Sequence, residues 1–132
     1  MNRLMVDIET VSTKHDAVIL SIGLTVFDEK SIIESKYLLP DFLHQLAVGR
    51  RIDVETLKWW RDQGEEALSD AFCDINSRKS NVECVKELNE LYQKHKCKEI
   101  WCQGSDFDVP IIESWMKSYN MNPAWHYGAV RD

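Results

Sequence analysis

Residues 3–9, Arg-Leu-Met-Val-Asp-Ile-Glu, alternate between apolar and polar side chains, with Leu4, Val6 and Ile8 on one face. A period of two is the mark of a half-buried strand. Residues 17–27, Ala-Val-Ile-Leu-Ser-Ile-Gly-Leu-Thr-Val-Phe, are rich in β-formers and predict a second strand. Within it, Gly23 marks a bulge or a close backbone approach. Asp28-Glu29-Lys30 turns the chain into a third strand over residues 31–38. Three strands joined by short connections form an antiparallel meander.

The pattern then changes from period two to helical spacing. Asp53 caps a predicted helix through Thr56-Leu57-Lys58-Trp59-Trp60, which Gln63-Gly64 interrupts. Glu65 to Phe72 reads as a second short helix, and the polar stretch from Asp74 to Asn81 as a loop. Asn81 then caps an amphipathic helix whose apolar stripe is Val82, Val85, Leu88, Leu91, Tyr92 and His95. Residues 99–103 make a short strand, Gly104 to Asp108 a tight turn, and Val109 to Asn120 a last helix that tolerates Pro110 in its first turn. A helical crossover between strands favours parallel pairing of the later strand. The expected architecture is one α/β domain over residues 1–132, with a mixed sheet and flanking helices.

Composition narrows the class without fixing it. The chain has 132 residues, 44% hydrophobic and 29% charged, which suits a single core. No apolar run is long enough to span a bilayer, and the first residues lead directly into a strand without a signal-peptide core, so a cytoplasmic location and no membrane partner are expected. Cys73, Cys84, Cys97 and Cys102 form no C-x-x-C pair and have no zinc spacing to the histidines, so reduced thiols are expected. A net charge of −6 argues against holding nucleic acid by bulk electrostatics. It leaves room for a nuclease whose acidic cluster is neutralised by metal ions.

Two constellations carry candidate chemistry. Asp7 and Glu9 are i and i+2 in a strand and project to the same face, opposite Val6 and Ile8. Two carboxylates side by side repel, and burial strengthens the repulsion, so the pair must be exposed, protonated or bound to a cation. A position near the centre of the sheet argues against full exposure, and a hard divalent cation takes oxygen ligands of this kind. The competing reading is a solvated polar face on an edge strand. Asp106-Phe107-Asp108 follows a strand and opens a helix, at the strand end where ligands of α/β sheets collect. Either aspartate there could simply cap the helix. Phe107 is read as core more readily than as a ligand-stacking ring.

Together these segments resemble the DEDD exonuclease superfamily, which has a ribonuclease H-like fold. Asp7-Ile8-Glu9-Thr10 resembles its first motif, and Phe107-Asp108, preceded by Gly104-Ser105, its second. "AVILSIGLTVF" from Ala17, "TLKWWRDQGEEAL" from Thr56, "WCQGSDFDVPII" from Trp101 and the final "RD" resemble, in order, segments of a small bacterial and phage 3′–5′ exoribonuclease branch. The resemblance implies that Asp7, Glu9 and Asp108 ligate two Mg²⁺ or Mn²⁺ ions about 4 Å apart that clamp the scissile phosphate. It implies that Thr10 contacts the terminal nucleotide, partly through its backbone, and that Asp132 lies near the site. The implied partner is the 3′ end of single-stranded RNA or DNA. Trp59 and Trp60 are read as packing their helix onto the sheet in preference to stacking on bases; exposed tryptophans would point to a homodimer.

The family's third motif, a histidine followed five residues later by aspartate, is absent. His15 is followed at that spacing by Leu20, His44 by Gly49, His95 by Ile100 and His126 by Arg131. A truncated domain lacking its C-terminal motif is the favoured explanation, with weak metal binding and little activity for the 132 residues. Two rivals stand beside this reading. A phosphatase of the Asp-x-Asp type would use Asp7 as a phosphorylated nucleophile, but Glu9 is one methylene longer than its general acid. A catalytically incomplete nucleic-acid-binding module of the same fold is the other.

Overall fold

The computed structural model describes residues 1–104 and 106–132. Its sheet has the order β3-β2-β1-β4-β5, with β1 (Arg3–Thr10), β2 (Ile19–Phe27), β3 (Ile32–Leu38), β4 (Glu99–Trp101) and β5 (Val130–Arg131). The meander is antiparallel: Val6 lies opposite Leu24, and Leu24 opposite Lys36. The crossover then returns β4 parallel to β1, with β5 parallel to β4. The first motif therefore lies on the central strand, which excludes the edge-strand reading of its carboxylates.

Among the described residues five α-helices follow the meander or separate the later strands: α1 (Phe42–Ala47), α2 (Val54–Asp62), α3 (Glu65–Ala71), α4 (Asn81–Lys94) and α5 (Asp108–Ser118). Alternation along β1 sends Leu4, Val6 and Ile8 into the core with Val85, Leu88 and Leu91 of α4 and Ile111, Ile112 and Trp115 of α5. Fully burying one such side chain stabilises the fold by about 1.5–3 kcal/mol. The opposite face of the sheet stays open, and Met5, Asp7 and Glu9 of β1 are exposed on it. A central position was expected to prevent full exposure of the two carboxylates. Both lie in the exposed class, because the helices that pack on β1 cover only the Val6–Ile8 side, yet Glu9 is still partly desolvated. A second, smaller core of Val11, Val18, Leu20, Phe42 and Trp60 fastens α1, α2 and α3 beyond the strand ends.

Several local expectations are corrected. β2 begins at Ile19, and Ala17 instead makes an isolated parallel bridge with Arg51. Gly23 pairs in regular register between Asp7 and Tyr37; the register shifts fall at Glu9/Thr10 and Val26/Phe27. A Cβ at Gly23 would meet the Asp7 carbonyl at an ordinary 3.6 Å. The cap of α4 is Ser80, whose side chain accepts from the Glu83 amide, and Asn81 is buried inside the helix. Val82 of the predicted stripe is exposed, while Cys84 is buried. Asp53 is the N-cap residue of α2, as expected, but through its carbonyl, with no side-chain cap bond. Gly64, at φ +107°, takes a left-handed conformation that suits glycine and separates α2 from α3. All four cysteines are free thiols, as expected.

Candidate functional site

The site forms where β1 outruns β4. The shorter strand pairs only with Arg3, Leu4 and Met5, so β1 continues alone on that side toward Thr10. The turn after β4, with Gly104 at φ +84°, reverses the chain and starts α5 beside the uncovered stretch. There the Asp108 carboxylate accepts a hydrogen bond from the Ile8 amide at 3.2 Å. A side chain thus takes a position that a neighbouring strand would otherwise fill, and it ties the second motif to the middle of the first. The cap of α5 is Phe107, without a side-chain bond. Asp108 is thus not the helix cap that its position alone allows. Asp106 is exposed in the turn, and Ser105 lies outside the described residues.

Three carboxylates feel one another here. Burial pushes the Asp108 carboxyl up to about 6, opposed by the Ile8 amide and reinforced by Asp7. Partial desolvation, then the charges of Asp7 and Asp108, raise Glu9. Glu9 is still exposed, so solvent screens much of that repulsion. Like charges spread apart, and among the described residues no three His, Cys, Asp or Glu side chains close into a ligand cage. The donor set nevertheless suits a hard divalent cation: all three are oxygen ligands whose shared burden of negative charge a cation would relieve. Asp132 follows β5. Burial, then the charges of Asp108 and Asp132, push the Cys102 thiol up.

Beside the carboxylates opens a groove of about 670 Å³. One wall is Ile8, Glu9, Thr10 and Phe107, and the other is α2 with Glu55, Thr56 and Trp59; Thr13 and Lys14 line the groove too. Phe107 is both things the sequence left open, packed against the core yet lining the groove. The two tryptophans divide. Trp60 is 8% exposed and packs as expected, whereas Trp59 is 52% exposed and lines the groove. Their rings meet edge to face at 5.0 Å, so the buried one steadies the open one.

A hydrogen-bonded chain that the sequence did not announce fixes the groove. The Trp60 indole donates to the Thr10 carbonyl at 2.9 Å. The Thr10 hydroxyl donates to the Ser12 carbonyl at 2.6 Å, and the Ser12 hydroxyl to the Asp53 carboxylate at 2.7 Å. The Asp53 amide in turn donates to the Val11 carbonyl at 2.8 Å. The Thr10 hydroxyl and carbonyl are therefore both engaged inside the protein. Three of these four bonds join residues more than 40 positions apart, which give no local signal. Lys14, a cation at the groove, was equally invisible as a lone charge in a polar loop.

The family model of the 3′–5′ exoribonuclease Rv2179c-like domain matches residues 2–132. Among solved structures, "Exonuclease I (apo)" is similar in fold, with a TM-score of 0.67 and 13% sequence identity over 92% of this chain. The similar region is 26% of that protein, so this chain spans about a quarter of its length. Among curated proteins, none matches.

Proposed function

The chain belongs to the family of Rv2179c-like 3′–5′ exoribonuclease domains, and from that premise we propose that it acts at the 3′ end of single-stranded RNA, hydrolysing the terminal phosphodiester bond. The observation that carries this reading is the meeting of Asp7, Glu9 and Asp108 at the end of a groove with aromatic walls. Asp7, Glu9 and Asp108 would hold divalent cations, Mg²⁺ or Mn²⁺. Such ions supply Lewis acidity and an activated water when bound.

The chain's own residues do the rest. Trp59 and Phe107 offer ring faces to a terminal base, and base stacking on an aromatic side chain contributes about 1–3 kcal/mol. The Thr10 backbone, held by Trp60 and Ser12, meets the terminal sugar. Lys14 offers its ammonium to a phosphate, which offsets the acidity of a chain of net charge −6. No histidine lines the groove among the described residues, and the sequence has no His-x-x-x-x-Asp pair. A general base contributes about 10²–10⁴-fold in rate. The 132 residues by themselves should therefore turn over slowly by at least that factor.

A 5′-labelled RNA oligonucleotide incubated with the purified chain and Mn²⁺ tests this. The expected product is a slow ladder shortened one nucleotide at a time from the 3′ end, absent for Asp7→Ala and in the presence of chelator. Internal cuts, shortening from the 5′ end, or an unchanged ladder from Asp7→Ala would contradict the reading. The missing histidine and aspartate favour one second reading, a binding module of the same fold. It predicts no ladder at all and oligonucleotide affinity that survives Asp7→Asn with Glu9→Gln.

A further inference from the structure

Arg50 is a buried cation that the proposed mechanism does not use. It is 6% exposed, and a buried guanidinium is ordinarily paired with a carboxylate. Here its hydrogen bonds go to neutral groups. Nε donates to the Ala17 carbonyl at 3.0 Å and Nη2 to the His15 carbonyl at 3.2 Å. Nη1 donates to the hydroxyls of Ser114 at 3.1 Å and Ser118 at 2.9 Å. Burial lowers its hold on the proton, and the charge of Asp16 opposes this. Asp16 is nevertheless paired with Arg51, at 2.9 Å. Desolvating a charge without a countercharge is costly, and an apolar side chain fills such a space at less cost. What the guanidinium adds is its fork, whose donors reach two segments at fixed angles.

Those segments are the turn after the first motif and α5. Every carbonyl of the turn from Lys14 to Ala17 is occupied. The Lys14 carbonyl accepts from the Ala17 amide at 3.1 Å, and the Asp16 carbonyl from the Arg51 amide at 2.8 Å. Arg50 holds those of His15 and Ala17. The Lys14 amide donates to the Ser12 hydroxyl at 3.0 Å. With its backbone committed, the turn presents Lys14 to the groove, which Arg50 itself does not line. On the far side, Ser114 and Ser118 lie one helical turn apart on α5. That helix opens with Asp108 and its bond to the Ile8 amide. Arg50 thus ties the cation of the groove to the helix of the carboxylate. It is fixed in turn by its own amide, which donates to the Gln45 carbonyl at 3.0 Å.

We propose that Arg50 is a positioning residue for substrate: it clamps the turn over residues 14–17 onto α5, so that the Lys14 ammonium meets an RNA phosphate at a set distance from Asp7, Glu9 and Asp108. The inference rests on the reading of the groove as the seat of an RNA 3′ end. A turn held beforehand loses little freedom when the strand binds, and such pre-organisation raises affinity without a new contact. It also bears on rate, since misplacing a substrate by about 1 Å costs about 10²-fold.

The salt dependence of RNA binding tests the clamp. Fluorescence anisotropy reads it in an Asp7→Ala background, where the oligonucleotide stays intact, and urea unfolding checks the fold of each variant. One lysine–phosphate contact on a single strand contributes about 0.7 to the slope of log affinity against log salt, or about eightfold between about 20 and about 400 mM. Lys14→Met should lose that share. Arg50→Met should lose the same share although it lies outside the groove, and adding Lys14→Met to it should remove no more. Arg50→Lys keeps the buried charge without the fork and should behave as Arg50→Met. Ser114→Ala with Ser118→Ala frees the α5 end of the clamp while keeping Arg50. It should flatten the slope in the same way, and it decides the matter where Arg50→Met fails to fold. A folded Arg50→Met, Arg50→Lys or double-serine variant with the parent slope overturns the proposal and leaves the exonuclease reading standing. Losses from Arg50→Met and Lys14→Met that simply add overturn it too. Lys14→Met with the parent slope overturns the phosphate contact and the clamp together, whereas the ladder from the parent chain still tests the site by itself.

Discussion

Asp108 carries more of the site than any other residue, because it is buried, charged and bonded to the Ile8 amide at once. Its carboxyl is raised from 3.8 to about 6. Between those values the folded chain keeps a proton that the unfolded chain has released, so stability falls as pH climbs from about 4 to 6 and stays low above it. Asp108→Asn keeps an oxygen that can accept from Ile8 and removes the charge. It should stabilise the metal-free chain by about 1–3 kcal/mol at pH 7.5. That gain should disappear below about pH 4, as read from urea unfolding in chelator at both pH values. The two tryptophans separate by the same logic. Trp60→Phe leaves the buried Thr10 carbonyl without its partner and should cost about 1–3 kcal/mol. Trp59→Ala should alter stability by no more than about 0.5 kcal/mol and instead weaken oligonucleotide binding by about 5- to 150-fold, measured by fluorescence anisotropy.

At the scale of elements, β1 to β4 and α2 to α5 were legible, whereas α1 and the two-residue β5 were not. β1 could be read from its alternation because one face packs on helices and the other is open, so burial follows the period of two. α1 has no such honesty. Its buried residues are Phe42 and Gln45, while Leu43 and Leu46 are exposed, which inverts the usual pattern. Gln45 is buried because it works as a substitute backbone. It accepts from the Ile19 amide at 2.8 Å and donates to the Ile19 carbonyl and to Asn81, both at 3.0 Å. Gln45→Leu should therefore destabilise the chain by at least about 2 kcal/mol despite adding an apolar side chain, because it orphans several buried polar groups. The midpoint of urea unfolding reads this directly. The cap of α4 was misplaced by one residue for a related reason. Ser80 and Asn81 are both good caps by type, and only the structure shows that the Asn81 side chain is committed elsewhere, accepting from Gln45 and Trp115 and donating to the Asp41 carbonyl.

For the whole molecule, the sheet order decides what the motifs can do. Asp7 and Glu9 were visible together because a strand sets their spacing, and Asp108 because the turn before a helix is short. That the two motifs meet depends on β4 returning parallel beside β1 and stopping early, a property of topology that no local pattern carries. The groove was still less legible, since Lys14, Asp53 and Trp59 reach it from separate segments. The same topology leaves one sheet face open, with Asp7 and Glu9 of β1 exposed on it. No helix among the described residues is long and apolar enough to cross a membrane. The central claim is that Asp7, Glu9 and Asp108 form one cation site. Calorimetric titration of Mn²⁺ into the chain tests it most directly. Weak but measurable binding is predicted, lowered at least about tenfold by each of Asp7→Asn, Glu9→Gln and Asp108→Asn, which is about 1.4 kcal/mol apiece. Binding that all three substitutions leave unchanged would contradict the claim.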